Sequence, residues 1–130
     1  MPSNRLNYRS VAGRQGDPYP EWLVELEDRS GVYVIKRRRD NRVLYVGESH
    51  TGRLRKTLTR HFQRWRRDKV NPFSKYEYDR TTGFTCDRND VVVAVLVLRR
   101  NVVAKKQYEL IQWLAPVHNE VTGESAYGLL

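Results

Sequence analysis

Cysteine is all but missing from this chain of 130 residues: Cys86 stands alone, so no internal disulfide can form and no oxidising compartment is indicated. A single cysteine cannot build a zinc site, and the three histidines, His50, His61 and His118, lack finger spacing. Long apolar runs are lacking too. The longest, Val91 to Leu98, has eight residues, far short of the roughly 20 that span a bilayer. No apolar leader of signal-peptide type follows Met1, and the expectation is a cytoplasmic protein without a membrane partner. Neither an internal repeat nor a low-complexity tract is present. The last shortage is of acid. Fifteen Asp and Glu face 24 Lys and Arg, for a net charge of +9.

That charge needs a partner. Excess positive charge attracts polyanions, and phosphate neutralisation supplies much of nucleic-acid affinity. A merely solubilising surface would scatter its charge, whereas here it clusters. Between Arg53 and Lys69 there are eight Lys or Arg residues and one acid, Asp68. A second cluster, Lys36-Arg37-Arg38-Arg39, adjoins a turn. Lys56, Arg60, Arg64, Arg66, Arg67 and Lys69, with the second cluster, are candidate DNA-backbone contacts, which position a duplex without reading its sequence.

The pattern predicts one domain of α+β class, a small mixed or antiparallel sheet flanked by helices. Residues 1–30 read as a polar arm with a short helix at Glu21 to Leu26, 31–119 as the domain proper, and 120–130 as a tail. Asp28 to Gly31 reads as a turn. The β-branched and aromatic residues from Val32 to Arg37 predict a strand, Asp40-Asn41 a turn, and Val43 to Val46 the returning strand of a hairpin. Side-chain alternation puts Val32 and Val34 on one face and Tyr33 and Ile35 on the other. Gly47 to Gly52 reads as a loop. Leu54, Leu58, Phe62 and Trp65 recur at helical spacing and predict a helix from Arg53 to Arg67, broken at Asn71-Pro72. Lys75 to Tyr78 allows a short strand and Thr82 to Thr85 a turn. Val91 to Leu98 predicts a central strand buried on both faces. Asn101 is the expected N-cap of a second helix over 102–114, with Pro116 just past its end. Trp65 and Trp113 fit core positions, Cys86 a buried or loop thiol, and Glu48 and His50 a solvated loop.

The two hairpin arms carry Gly31-Val32-Tyr33 and Tyr45-Val46-Gly47, and here the sequence resembles the GIY-YIG nuclease superfamily, with valine for isoleucine in both tripeptides. His61 beside Phe62 fits the family's later helix position, and Ile111, Leu114, Pro116 and Asn119 fit its closing pattern. The resemblance covers residues 31–119. It implies hydrolysis of a double-stranded DNA phosphodiester with one divalent metal per active site, Mg2+ or Mn2+. Tyr33 would be the general base or its partner, and Tyr45 would orient water or phosphate. His61 would share the proton or bind phosphate, and Asn119 would support the site. A homodimer on DNA is one way to cut both strands.

Two positions depart from the family pattern. Its arginine, one turn before His61, falls on Thr57, leaving Arg53 or Arg55. Arg53 shares a helix face with Thr57 and His61, whereas Arg55 keeps the usual distance from Gly47; the apolar stripe favours Arg53. The family's metal-binding glutamate falls on Gln107, a neutral carboxamide that holds a divalent cation far less well than a carboxylate. The nearest carboxylate, Glu109, lies about 200° further around a helix. Three explanations stay open: an engineered, silenced enzyme; a register in which Glu109 is the ligand; or a catalytically inert DNA-binding module on the same fold.

Overall fold

A computed structural model describes residues 6–14, 16–63 and 84–119. Four strands form one sheet: β1 (Arg9–Ser10), β2 (Gly31–Arg37), β3 (Val43–Ser49) and β4 (Val91–Val97). The helices are α1 (Glu21–Val24), α2 (Leu54–Arg60) and α3 (Arg100–Leu114), and a 3-10 turn at Arg88–Asp90 leads into β4. The spatial order is β1-β4-β2-β3, and every pairing is antiparallel. The α+β expectation holds, with an antiparallel rather than a mixed sheet.

The β2–β3 hairpin forms where alternation and turn chemistry put it. Asn41 takes a positive φ of 61° and Asp40 Oδ1 accepts the Arg42 amide at 3.2 Å, the local chemistry of a tight turn. Strand β3 runs further than expected. Gly47, Glu48 and Ser49 continue the ladder opposite Tyr33, Val32 and Gly31, so the loop begins only after Ser49. Gly31 likewise belongs to β2 rather than to the preceding turn, pairing with Ser49 and Val97. β2 is the strand flanked along its whole length. β4 pairs with it throughout but meets β1 only at Val92 and Val93. The two-residue β1 lies in what reads as an irregular arm.

The sheet separates two cores. On one face Tyr33, Ile35, Val91 and Val93 meet Leu23 of α1 and Leu26 just past it, Leu54 and Leu58 of α2, and Phe62. On the other, Val32, Val34, Val46 and Ala94 meet Val103, Leu110 and Ile111 of α3. Period-2 alternation in β2 thus feeds both, and the first half of β4 is covered on both sides.

Both long helices depart from their expected ends. α2 stops at Arg60 because the His61 carbonyl accepts the Cys86 amide at 2.8 Å and is drawn to the incoming chain. Residues 64–67 of the expected helix, Trp65 with them, and the readings at 75–78, 82–83 and 120–130 lie outside the described residues. α3 starts two residues early, with Arg99 in extended conformation at its N-cap and Asn101 inside the first turn. The Leu98 amide is tied to the Ser30 carbonyl at 2.9 Å, which fixes the chain reversal there. Trp113 is 40% exposed and is no core residue. Its neighbours Leu110 and Ile111 fill the stripe that faces the sheet.

Candidate active site

Tyr33, Tyr45 and His61 converge on the α2 face of the hairpin. The Tyr33 hydroxyl lies 2.6 Å from His61 Nε2, and His61 Nδ1 lies 2.6 Å from the Phe84 carbonyl. A carbonyl can only accept, so Nδ1 carries the ring proton. Nε2 is then the acceptor, and the Tyr33 O–H donates to it. Burial fixes the charge state of both groups. It pushes the Tyr33 phenol well above its ordinary value, helped by Tyr45 and Glu48 and opposed by the Arg60 charge. It holds the His61 imidazole down at about 4, against the Phe84 hydrogen bond and with the Arg60 cation beside it. At neutral pH the pair is uncharged and linked by one polarised hydrogen bond.

Tyr33 lies so close to β3 that a β-carbon added at Gly47 would fall on the phenol Cζ and hydroxyl. The glycine of the second tripeptide is therefore the floor beneath the Tyr33 ring. Tyr45 covers the pair from the side, its ring 4.7 Å from His61 and 6.4 Å from Tyr33. Phe84 stacks on Tyr45 at 5.3 Å and His118 on Phe84 at 5.0 Å, which extends the cluster into an aromatic row. Phe84 and His118 escaped the sequence reading. Only tertiary structure brings them here, and no local spacing marks them.

The remaining site residues gather on the outer backbone edge of β3. Val46 lies between Tyr45 and Gly47, and Asn119 receives its amide on Oδ1 at 2.9 Å while Nδ2 donates to its carbonyl at 3.0 Å. Gln107 Nε2 reaches the same carbonyl at 3.3 Å. Residues 117–119 act as a substitute strand here, since the Val117 and His118 amides also bind the Val43 and Leu44 carbonyls. Glu109 points elsewhere, pairing with Lys106 at 3.2 Å on the exposed side of α3. Glu48 is half-buried and accepts from or pairs with His50 at 3.1 Å rather than standing in a solvated loop.

These residues do not fit a divalent metal. Mg2+ and Mn2+ want carboxylate oxygens, and the position in question offers two neutral carboxamides, both engaged at Val46. Among the described residues no three His, Cys, Asp or Glu side chains are grouped to hold an ion.

The arginines are distributed differently from the sequence reading. Arg55 is paired with Glu27 at 2.9 Å, and Arg53 is exposed at the start of α2, its amide bound to Ser49 Oγ at 3.0 Å. Arg60, grouped at first with the backbone contacts, is the one whose charge acts on both Tyr33 and His61. In the hairpin cluster Lys36 sits 3.9 Å over the Tyr8 ring and Arg37 is bound to Asp40 at 2.8 Å, while Arg38 and Arg39 are exposed. Lys56 is exposed on α2. Arg64, Arg66, Arg67 and Lys69 lie outside the described residues.

The state of His61 has a stability consequence. Its folded value of about 4 lies below the 6.5 of an unfolded histidine, so the unfolded chain takes the proton first as pH falls. Stability from neutral His61 is full above pH 6.5 and is lost between 6.5 and about 4. The loss should reach about 3 kcal/mol in urea unfolding. Burial also holds His118 low, which adds to the same slope. His61→Gln should flatten most of it; an unchanged slope would place the titration elsewhere.

Compared with known proteins, the chain matches no family model, no curated protein and no solved structure.

Proposed function

We propose that the chain is a DNA-handling domain of the GIY-YIG kind, built to hydrolyse a phosphodiester and silent in the Gln107 form. The observation that carries this reading is the 2.6 Å Tyr33–His61 hydrogen bond with its tautomer set by Phe84. A phenol that donates to an imidazole can take a proton from water while passing its own to Nε2, so the two act as one base. Packing of Tyr45 and Phe84 limits water around the pair, which strengthens each polar interaction there. The net charge of +9 supplies the attraction to duplex. Cutting both strands would take two such sites, hence two copies on the DNA.

One observation favours a second reading, an inert DNA-binding module. Gln107 has a structural task at the Val46 carbonyl, which glutamate could not perform. A single substitution separates the two. In Gln107→Glu the Val46 carbonyl keeps its Asn119 donor, so the fold should tolerate a carboxylate now free to take a cation. Nicking of plasmid by Gln107→Glu with magnesium, absent in the parent, is the result expected of a silenced nuclease. Duplex binding without cutting in both proteins supports the module. In either case affinity should fall roughly a hundredfold between 50 and 200 mM salt if about four phosphates are neutralised. Failure of both proteins to bind duplex at low salt removes both readings.

A further inference from the structure

The aromatic row that begins at Tyr45 ends at the surface. Phe84 lies nearly parallel to Tyr45, at 12° and 5.3 Å between centroids, and His118 to Phe84, at 21° and 5.0 Å. Planar π-systems prefer such offset stacks. Tyr45 and Phe84 are half-buried, whereas His118 is exposed. Phe84 takes one face of the imidazole. Among the described residues the other face meets no ring, and neither ring nitrogen has a hydrogen-bond partner. The main chain beneath is fixed, since the His118 amide binds the Leu44 carbonyl at 2.8 Å and Asn119 is clamped on Val46. Charge narrows what could cover the free face. Arg37 is near enough for its charge to act on His118, and Arg38 and Arg39 follow it on the exposed hairpin turn. Asp40 holds Arg37, but among the described residues no acid is paired with Arg38 or Arg39. Burial and the Arg37 charge hold the imidazole below its ordinary value, so it is a neutral ring at pH 7. A flat apolar face beside unpaired cations suits a nucleotide, which brings both a ring and a phosphate.

We infer that the free face of His118 is a stacking seat for one unpaired nucleobase, so that the domain favours DNA with an unpaired nucleotide over a fully paired duplex. The inference rests on the reading of the chain as a DNA-binding domain. It goes beyond that reading by naming a base-contacting residue and the form of DNA it selects. A base inside a duplex is stacked on both sides and has no face to offer, whereas a base in a bulge or flap does. Such stacking tolerates any base, because every base has a π-face. The base becomes the fourth ring of the row, whose inner end is Tyr45, 4.7 Å from His61. An unpaired nucleotide is thereby held on a fixed line from the tyrosine–histidine pair.

Two bulged duplexes of equal charge test the seat, one with an unpaired deoxyadenosine and the other with an abasic site at that position. The parent should bind the deoxyadenosine bulge about tenfold tighter, the worth of one base–aromatic stack. That ratio should be the same at low and moderate salt, because both duplexes carry the same phosphates. It should fall to about one in His118→Ala and hold in His118→Trp, which presents a larger flat face. It should also hold in Trp113→Ala, which removes an exposed ring outside the row. In NMR, free deoxyadenosine, which has no phosphate, should move the His118 ring protons upfield and leave those of His61 in place. A ratio of about one in a parent that binds both bulges, with unmoved His118 protons, would overturn the seat and leave the DNA reading intact. A preference that persists in His118→Ala would also overturn it, by putting the base elsewhere. Shifted His118 protons with no binding of either bulge would overturn the DNA reading and leave the seat.

Discussion

Arg88→Ala should lower the unfolding free energy by about 3–5 kcal/mol, since each buried carbonyl left unsatisfied costs roughly 1–3 kcal/mol. Arg88 is 4% exposed, and its guanidinium is spent entirely on backbone carbonyls of the N-terminal arm. Nε donates to Val11 at 2.8 Å, Nη1 to Arg14 and Asp17 at 3.0 and 2.9 Å, and Nη2 to Pro18 at 3.1 Å. Tyr19 adds its ring 4.2 Å from the guanidinium carbon. The chain approaches so closely that a β-carbon at Gly13 would lie 2.7 Å from Nη2. Removing the side chain orphans the Val11, Asp17 and Pro18 carbonyls, the Arg14 carbonyl keeping the Asp17 amide at 3.0 Å, and leaves a void among them. Arg88→Lys should lose most of the same energy, because one ammonium cannot reach acceptors spread around a planar fork. In a chain of this length the loss is on the order of 10–20 °C in Tm, and trypsin should then cut the arm at Arg14 first. A shift of less than about 3 °C for Arg88→Ala would mean that the arm is held by β1 and Val11 alone.

Arg88 also shows where sequence reading stops. It sits in a stretch with neither period, and its partners are carbonyls some 70 residues away, which carry no side-chain identity to read. β1 is hidden for the same reason: two exposed residues joined to β4 through the backbone alone. The hairpin was legible because its alternation is imposed by two cores, one on each face. The stripe Leu54, Leu58, Phe62 was legible because all three are buried on one side, yet it overran the helix. What ended α2 was the Cys86 amide, arriving from outside the local sequence. Within the site, Tyr33, Tyr45, His61 and Asn119 could be named from short motifs, since each lies on or against the hairpin. Gln107 could be placed by counting back from Asn119. Arg60 could not be singled out. It adjoins His61 in sequence, but that its charge reaches both Tyr33 and His61 follows only from the folded chain.

Gly47→Ala should cost about 3–4 kcal/mol, out of proportion to one methyl group, because that methyl has nowhere to go. The position is buried under the Tyr33 ring, and a side chain there would meet the phenol Cζ and hydroxyl at distances real atoms do not adopt. Tyr33 cannot give way cheaply. Its hydroxyl is anchored on His61, its ring is 1% exposed, and Tyr45 and His61 flank it. Displacing the ring breaks the hydrogen bond, so Gly47→Ala should also shift the His61 Nε2 15N resonance, while the Phe84 carbonyl keeps the proton on Nδ1. The steric account has its own check. In a Tyr33→Ala background the penalty of Gly47→Ala should shrink by about 1–3 kcal/mol, the coupling expected of two residues in direct contact. Additive costs would place the strain in the β3 backbone instead. Gly31 offers the contrast. A β-carbon there would meet the Leu96 carbonyl of the neighbouring strand, so Gly31→Ala should be as damaging yet resist rescue by any side-chain deletion. Both tripeptide glycines are thus explained by close approach alone: one admits the Tyr33 ring, the other the β4 main chain.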